Sequence, residues 1–121
     1  MAKVEIKEFR GKRIVCMSFS NLRTEEEISA IIEVAKPIIR NSPPNSVYTI
    51  TDIGGMHFNN KIRDLFTDFT GGNKNFVKAS AVIGASGLQN LMINGINKIT
   101  GRKLKSFPDE SVAKEWLVSQ N

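Results

Sequence analysis

Apolar and polar positions alternate at the start of the chain. Between Lys3 and Phe9, Val4 and Ile6 stand against Glu5 and Glu8, the period of two that marks a half-buried strand. Arg10-Gly11-Lys12 reads as a turn, and Arg13 to Phe19, RIVCMSF, as a second strand rich in branched residues. A connection this short predicts an antiparallel hairpin. The period then lengthens. Ile28, Ile31, Ile32, Ala35 and Ile39 recur at helical spacing behind Thr24-Glu25-Glu26-Glu27. Thr24 and Glu27 have the spacing of a capping box, and three acids lie where the helix dipole favours them. Pro37 removes an amide donor, so a kink or an end is expected near Val34 to Lys36, with Ile38 and Ile39 pointing to one further turn.

The same alternation of strand and helix repeats to the last residues. Asn41 to Asn45, NSPPN, is a loop, and Val47 to Ile53 is a strand with branched or aromatic residues on both faces. Asp52 sits at its carboxyl end, followed by Gly54-Gly55. Asn59 or Asn60 caps a helix to about Phe69, with Ile62, Leu65, Phe66 and Phe69 inward and Thr70 to Asn73 ending it. Val77 to Ile83 is a fourth strand and Gly84 to Gly87 a tight turn. Leu88, Leu91, Met92, Gly95, Ile96 and Ile99 form the next apolar stripe, stopped at Gly101. Lys103 to Phe107 is a short strand, placed near an edge by its lysines. Pro108-Asp109 opens a last helix with Val112, Ala113, Trp116 and Leu117 inward. The order β-β-α-β-α-β-α-β-α predicts an α/β domain over residues 1–121: a mixed five-stranded sheet, parallel apart from the first strand.

Composition narrows the class without naming a function. The 121 residues suffice for one domain, and no apolar run approaches the roughly 20 residues that cross a bilayer. The amino end has no apolar stretch of the secretory kind. A lone cysteine, Cys16 in the run IVCM, suits a small core position and a reducing cytoplasm. The net charge of +5 is spread along the chain rather than blocked, and bases and aromatics do not interleave, which argues against nucleic acid as the partner.

Candidate chemistry gathers where the parallel strands end, the functional edge of open α/β sheets. Three turns are expected there: Asp52 to Asn60, Gly84 to Leu88, and Phe107 to Glu110. In the first, Asp52 beside Gly54-Gly55 could present a carboxylate and an approachable backbone to a partner. Equally, it could bond the turn's own amides while the glycines supply positive φ. His57, the only histidine, has no second ligand at metal spacing and is expected to pack partly between Met56 and Phe58. Ser86 and Gly87 open a helix, a place where amides can hold an anion. The motif is neither a Walker loop, nor GxGxxG, nor GxSxG, and Ser86 reads first as an N-cap. Met56, Phe58, Phe66, Phe69 and Met92 fall mainly at core spacing, with an apolar ligand cavity as the rival reading. No acid/base pair, nucleophile set or cofactor motif is recognisable.

The segments VYTITDIGGMHFNN, NFVKASAVIGASGLQNLMINGINKITGRKLKSFPDE and AKEWL resemble the STAS-like superfamily of bacterial anti-sigma-factor antagonists, and in particular small bacterial STAS/CRAL-TRIO-like proteins of unknown function. The resemblance covers the chain and is strongest from Val47 onward. It implies a STAS-like fold and a partner-binding surface on the loop Asp52 to Asn60 and the helix it opens. In the antagonists a kinase phosphorylates a Ser or Thr in this loop. Between Asp52 and Asn59 this chain has none, so the phosphorylation switch does not carry over. The expectation is therefore a non-catalytic cytoplasmic interaction module, with Asp52, Gly54, Gly55, His57, Asn59, Ser86 and Gly87 at its working face. The CRAL-TRIO comparison implies instead a small apolar or anionic ligand, lipid-like. Self-association through the short edge strand and Lys103 to Lys105 is a further expectation.

Overall fold

A computed structural model describes residues 3–120. Nine elements follow the expected order: β1 (Val4–Phe9), β2 (Lys12–Ser18), α1 (Glu25–Arg40), β3 (Val47–Asp52), α2 (Asn60–Gly72), β4 (Val77–Ile83), α3 (Gly87–Thr100), β5 (Lys105–Phe107) and α4 (Glu110–Val118). The sheet runs β1-β2-β3-β4-β5 in sequence order. β1 is antiparallel to β2, and the other neighbours are parallel. Arg10 and Gly11 both take positive φ, +50° and +80°, which matches the twist that a two-residue hairpin requires.

That strand order decides the layers. A right-handed crossover that steps each time in the same direction puts every connecting helix on the same face. The larger core accordingly joins Val15, Met17, Phe19, Val47, Ile53, Val77 and Val82 of the sheet side to the apolar stripes of α1, α2 and α3. Phe19 meets Phe66 of α2 edge to face at 4.9 Å. Alternate residues of the same strands, Ile14, Tyr48, Ile50 and Ala81, face the other way and pack on Ala113 and Leu117 of α4.

Local signals are realised closely in α1. Glu27 N–H donates to Thr24 Oγ1 at 3.2 Å, and Thr24 N–H donates back to Glu27 Oε1 at 3.1 Å. All five expected residues of its inner face are buried. The helix does not end at Pro37 but runs on to Arg40, the further turn that Ile38 and Ile39 indicated. Pro37 and Glu33 are both exposed, so the Glu33 carbonyl that loses its donor faces water rather than the core.

Other expectations are corrected. α2 continues through Gly71 and Gly72 to a C-cap at Asn73. Its end is held by Arg40, whose Nε–H donates to Asn73 Oδ1 at 3.0 Å. On α3 the inner face is Gln89, Met92, Ile93 and Ile96, whereas Leu88, Leu91 and Ile99 are 68%, 68% and 71% exposed. The apolar residues of this helix occupy two sides of it, and contacts with α2 and the sheet choose one. Val112 is likewise 44% exposed while Ala113 and Leu117 are fully buried. Cys16 is half-buried on the α4 side, and burial pushes its thiol above the ordinary value.

Candidate functional site

The turns after β2, β3 and β4 come together at the carboxyl edge of the sheet, tied by main-chain bonds. Phe19 N–H donates to Asp52 O at 2.8 Å, Asn21 N–H to Gly54 O at 2.9 Å, His57 N–H to Leu22 O at 2.8 Å and Ile53 N–H to Ile83 O at 3.1 Å. The turn from Phe19 to Thr24 was missed in the sequence because it carries no recognised turn motif. It nonetheless takes part in three of these four bonds.

Each candidate residue can now be placed. Asp52 is half-buried, and its Oδ1 accepts from Gly54 N–H at 2.9 Å, so this carboxylate braces its own turn. Gly54 has both main-chain groups engaged, one by Asp52 and one by Asn21. A Cβ on Gly84 would lie 2.8 Å from Gly54 Cα and N, with Gly84 itself at φ +78°. The two glycine turns thus cross at a spacing that only glycine permits. Gly55, at φ +67°, is exposed, but a Cβ there would lie 2.2 Å from Asn21 Oδ1. Its lack of a side chain fits Asn21 beneath it. His57 is exposed, and only its neighbours Met56 and Phe58 are drawn inward. The expected packing is therefore not realised, although the His57 amide is tied across to Leu22 O. Asn59 caps α2, its Oδ1 accepting from Ile62 N–H at 2.8 Å. Ser86 is the N-cap of α3, and both Ser86 and Gly87 are exposed.

Gln89 joins the two loops and was not singled out by sequence. It is 6% exposed. Its Nε2 donates to Ile53 O at 3.1 Å and to Met56 O at 3.3 Å, while its Oε1 accepts from Ser86 N–H at 2.8 Å. One amide side chain thereby satisfies two carbonyls of the β3 loop and one amide of the β4 loop. A glutamine three residues after a serine does signal a capping box. That signal cannot say that the other half of the amide reaches a loop more than thirty residues away in the chain.

Beneath this edge, between the sheet and helices α2 and α3, lies an interior space of about 40 Å³ lined by Met56, Phe66, Phe69 and Met92 among others. Such a volume holds one to a few waters, against the roughly 300–1,000 Å³ of pockets for drug-sized ligands. Met56, Phe66, Phe69 and Met92 are therefore core, and Phe58 packs against that core partly buried. At the far end of this space Thr49 Oγ1 donates to Ser80 Oγ at 2.7 Å, and Arg102 donates to Ser80 Oγ and to Thr70 O, both at 2.6 Å. Burial brings the Arg102 guanidinium down to about 10, so it keeps its charge at neutral pH. Among the described residues no helix is long and apolar enough to cross a membrane, and no three His, Cys, Asp or Glu side chains converge as a metal site would need.

The fold has solved counterparts. An uncharacterised protein of the DUF3478 family with a SpoIIAA-like fold, from Shewanella loihica PV-4, is similar with a TM-score of 0.68 at 19% identity over 94% of this chain and 91% of that one. An anti-sigma-factor antagonist (STAS) domain protein from Planctomyces limnophilus is similar with a TM-score of 0.64 at 14% identity over 97% of this chain and 99% of that one. No protein-family model matches the sequence, and no curated protein matches it. Likeness at these identities establishes architecture, and the chain has the STAS-like fold.

Proposed function

We propose that this STAS-like domain is a non-catalytic regulatory module of the cytoplasm that docks a protein partner on the carboxyl edge of its sheet. The docking surface consists of Gly55, His57, Asn59, Ser86 and Gly87, continued onto α3 by Leu88 and Leu91. The observation that carries this reading is the apolar side of α3. Leu88 and Leu91 are each 68% exposed, directly after the exposed Ser86-Gly87 turn. Exposed leucines adjoining a rim of polar loop residues are the composition of a protein–protein contact. The solved STAS protein named an anti-sigma-factor antagonist supports a role exerted on another protein. Regulation by phosphorylation of the loop is not part of the proposal, since no hydroxyl residue lies between Asp52 and Asn59.

The structure also selects the variant suited to the test. Gly55→Arg would displace Asn21 and disturb the loops whether or not a partner binds there. Leu88→Asp with Leu91→Asp changes two side chains that are each 68% exposed, and the double variant is expected to keep the parent's fold. The expected result is a binding partner captured by the parent, retained by a Lys36→Glu control on another face, and lost by the double variant. A partner held equally by parent and double variant would move the docking surface elsewhere.

A further inference from the structure

A basic concavity lies at the opposite end of the sheet. β5 pairs with β4 only from Ala81 onward, so β5 leaves the outer edge of Val77 to Ser80 uncovered. Beside that edge is a concavity of about 150 Å³, lined by Lys74, Lys78, Arg102 and Lys103 together with Ser80 and Gly101. Four cations and no carboxylate line it. Among the described residues none of the four takes part in an ion pair, although six ion pairs form elsewhere on the surface.

Arg102 is the informative member. Its guanidinium has two N–H groups committed, to Thr70 O and Ser80 Oγ, and among the described residues the remaining three of its five donors make no hydrogen bond. The contact with Thr70 O, near the carboxyl end of α2, holds the fork in place, since a helix carboxyl terminus favours positive charge. Gly101 has φ +72°, and a Cβ there would lie 2.6 Å from Lys74 Nζ, so that ammonium rests over the same loop. A partly buried charge without a counter-ion is unfavourable, and three lysines line the same concavity. We propose that this concavity binds the phosphate group of a small phosphorylated ligand, with Arg102 as the fixed fork and Lys74, Lys78 and Lys103 as point charges around it. Planar donors on arginine suit phosphate oxygens, and mobile ammonium groups neutralise the remaining charge. The site is independent of the docking surface at the other end of the sheet.

The test is titration of isotopically labelled protein with inorganic phosphate, with glycerol 3-phosphate, and separately with vesicles of phosphatidate in phosphatidylcholine. Saturable one-to-one binding of either soluble probe, with amide shifts centred on Lys78, Ser80 and Arg102, supports a soluble phosphoester. Binding to the phosphatidate vesicles alone, with the same residues perturbed, assigns the same chemistry to a lipid headgroup. In both cases Lys78→Glu/Lys103→Glu, which leaves the structural contacts of Arg102 in place, lowers affinity at least about tenfold while its melting temperature stays near the parent's. Affinity unchanged in that variant, or no binding of all three probes, overturns the proposal.

Discussion

Replacing Gly84 by alanine probes the crossing of the two glycine turns with a single methyl group. The added Cβ would sit 2.8 Å from both Cα and N of Gly54 and 3.0 Å from Asp52 Oδ1, at φ +78°. Holding an L-residue in the left-handed region costs roughly 1–2 kcal/mol. Ordinary carbon contacts lie near 3.5–4.0 Å, so the backbone must move by up to about 1 Å. Gly54 cannot yield freely, because its N–H is bonded to Asp52 and its C=O to Asn21. Overpacking of this kind costs about 1–3 kcal/mol, and the sum is about 2–5 kcal/mol. With a urea m-value of about 1–3 kcal/mol/M, a loss of 3 kcal/mol lowers the midpoint by about 1–3 M. Gly87→Ala and Gly95→Ala are the controls. A Cβ at either meets nothing within 4 Å, and in a helix each should be neutral or stabilising by up to about 1 kcal/mol. If Gly84→Ala unfolds within about 0.5 kcal/mol of the parent while m is unchanged, the glycine crossing does not constrain the loops as argued.

Further outcomes follow from single contacts. Gln89→Leu deprives Ile53 O, Met56 O and Ser86 N–H of their partner and should cost about 1–3 kcal/mol, with faster hydrogen exchange confined to the two loops. Leu117→Ala empties a fully buried position under α4 and should cost about 2–5 kcal/mol by denaturant titration. A near-zero loss would mean that α4 is not integral to the fold. Glu110 is held below the ordinary carboxylate value first by its hydrogen bond from Lys114, at 2.9 Å, and then by the charge of Lys7, against desolvation. Its folded value lies below its unfolded one, so its contribution is present above about pH 4.5 and fades as pH falls through the lowered value. Glu110→Gln should be less stable than the parent at pH 7, by under about 1 kcal/mol for so exposed a pair, and equal to it near pH 2. Glu27 is lowered by hydrogen bonds from the Arg23 amide, then from the Thr24 side chain and amide. Its contribution therefore fades in the same direction, and Glu27→Gln should reduce the acid sensitivity of α1 followed by circular dichroism.

What the sequence determined by itself were features that depend on near neighbours. Thr24 with Glu27, the pair Asn59-Asn60, and Asp109 marked helix starts because a cap acts over three residues. Ile28 to Ile39 marked one inner face because no rival stripe competed on α1. The element order, with helices between parallel strands, followed from the lengths of the connections. Tertiary structure decided whatever needed a second element. α3 carries apolar residues on two sides, and only its packing on α2 and the sheet chose Met92, Ile93 and Ile96 over Leu88, Leu91 and Ile99. Gln89 reads as a polar helix residue until the carbonyls of Ile53 and Met56 are beside it, and Gly54 and Gly84 read as two separate turns until their backbones cross. Lys74 and Lys78 stand more than twenty residues from Arg102 and Lys103, so their charges look dispersed along the chain. The return of α3 to the amino end of β4 brings them around one concavity. Periodicity records which side of an element is apolar, but cannot record which other element will meet it.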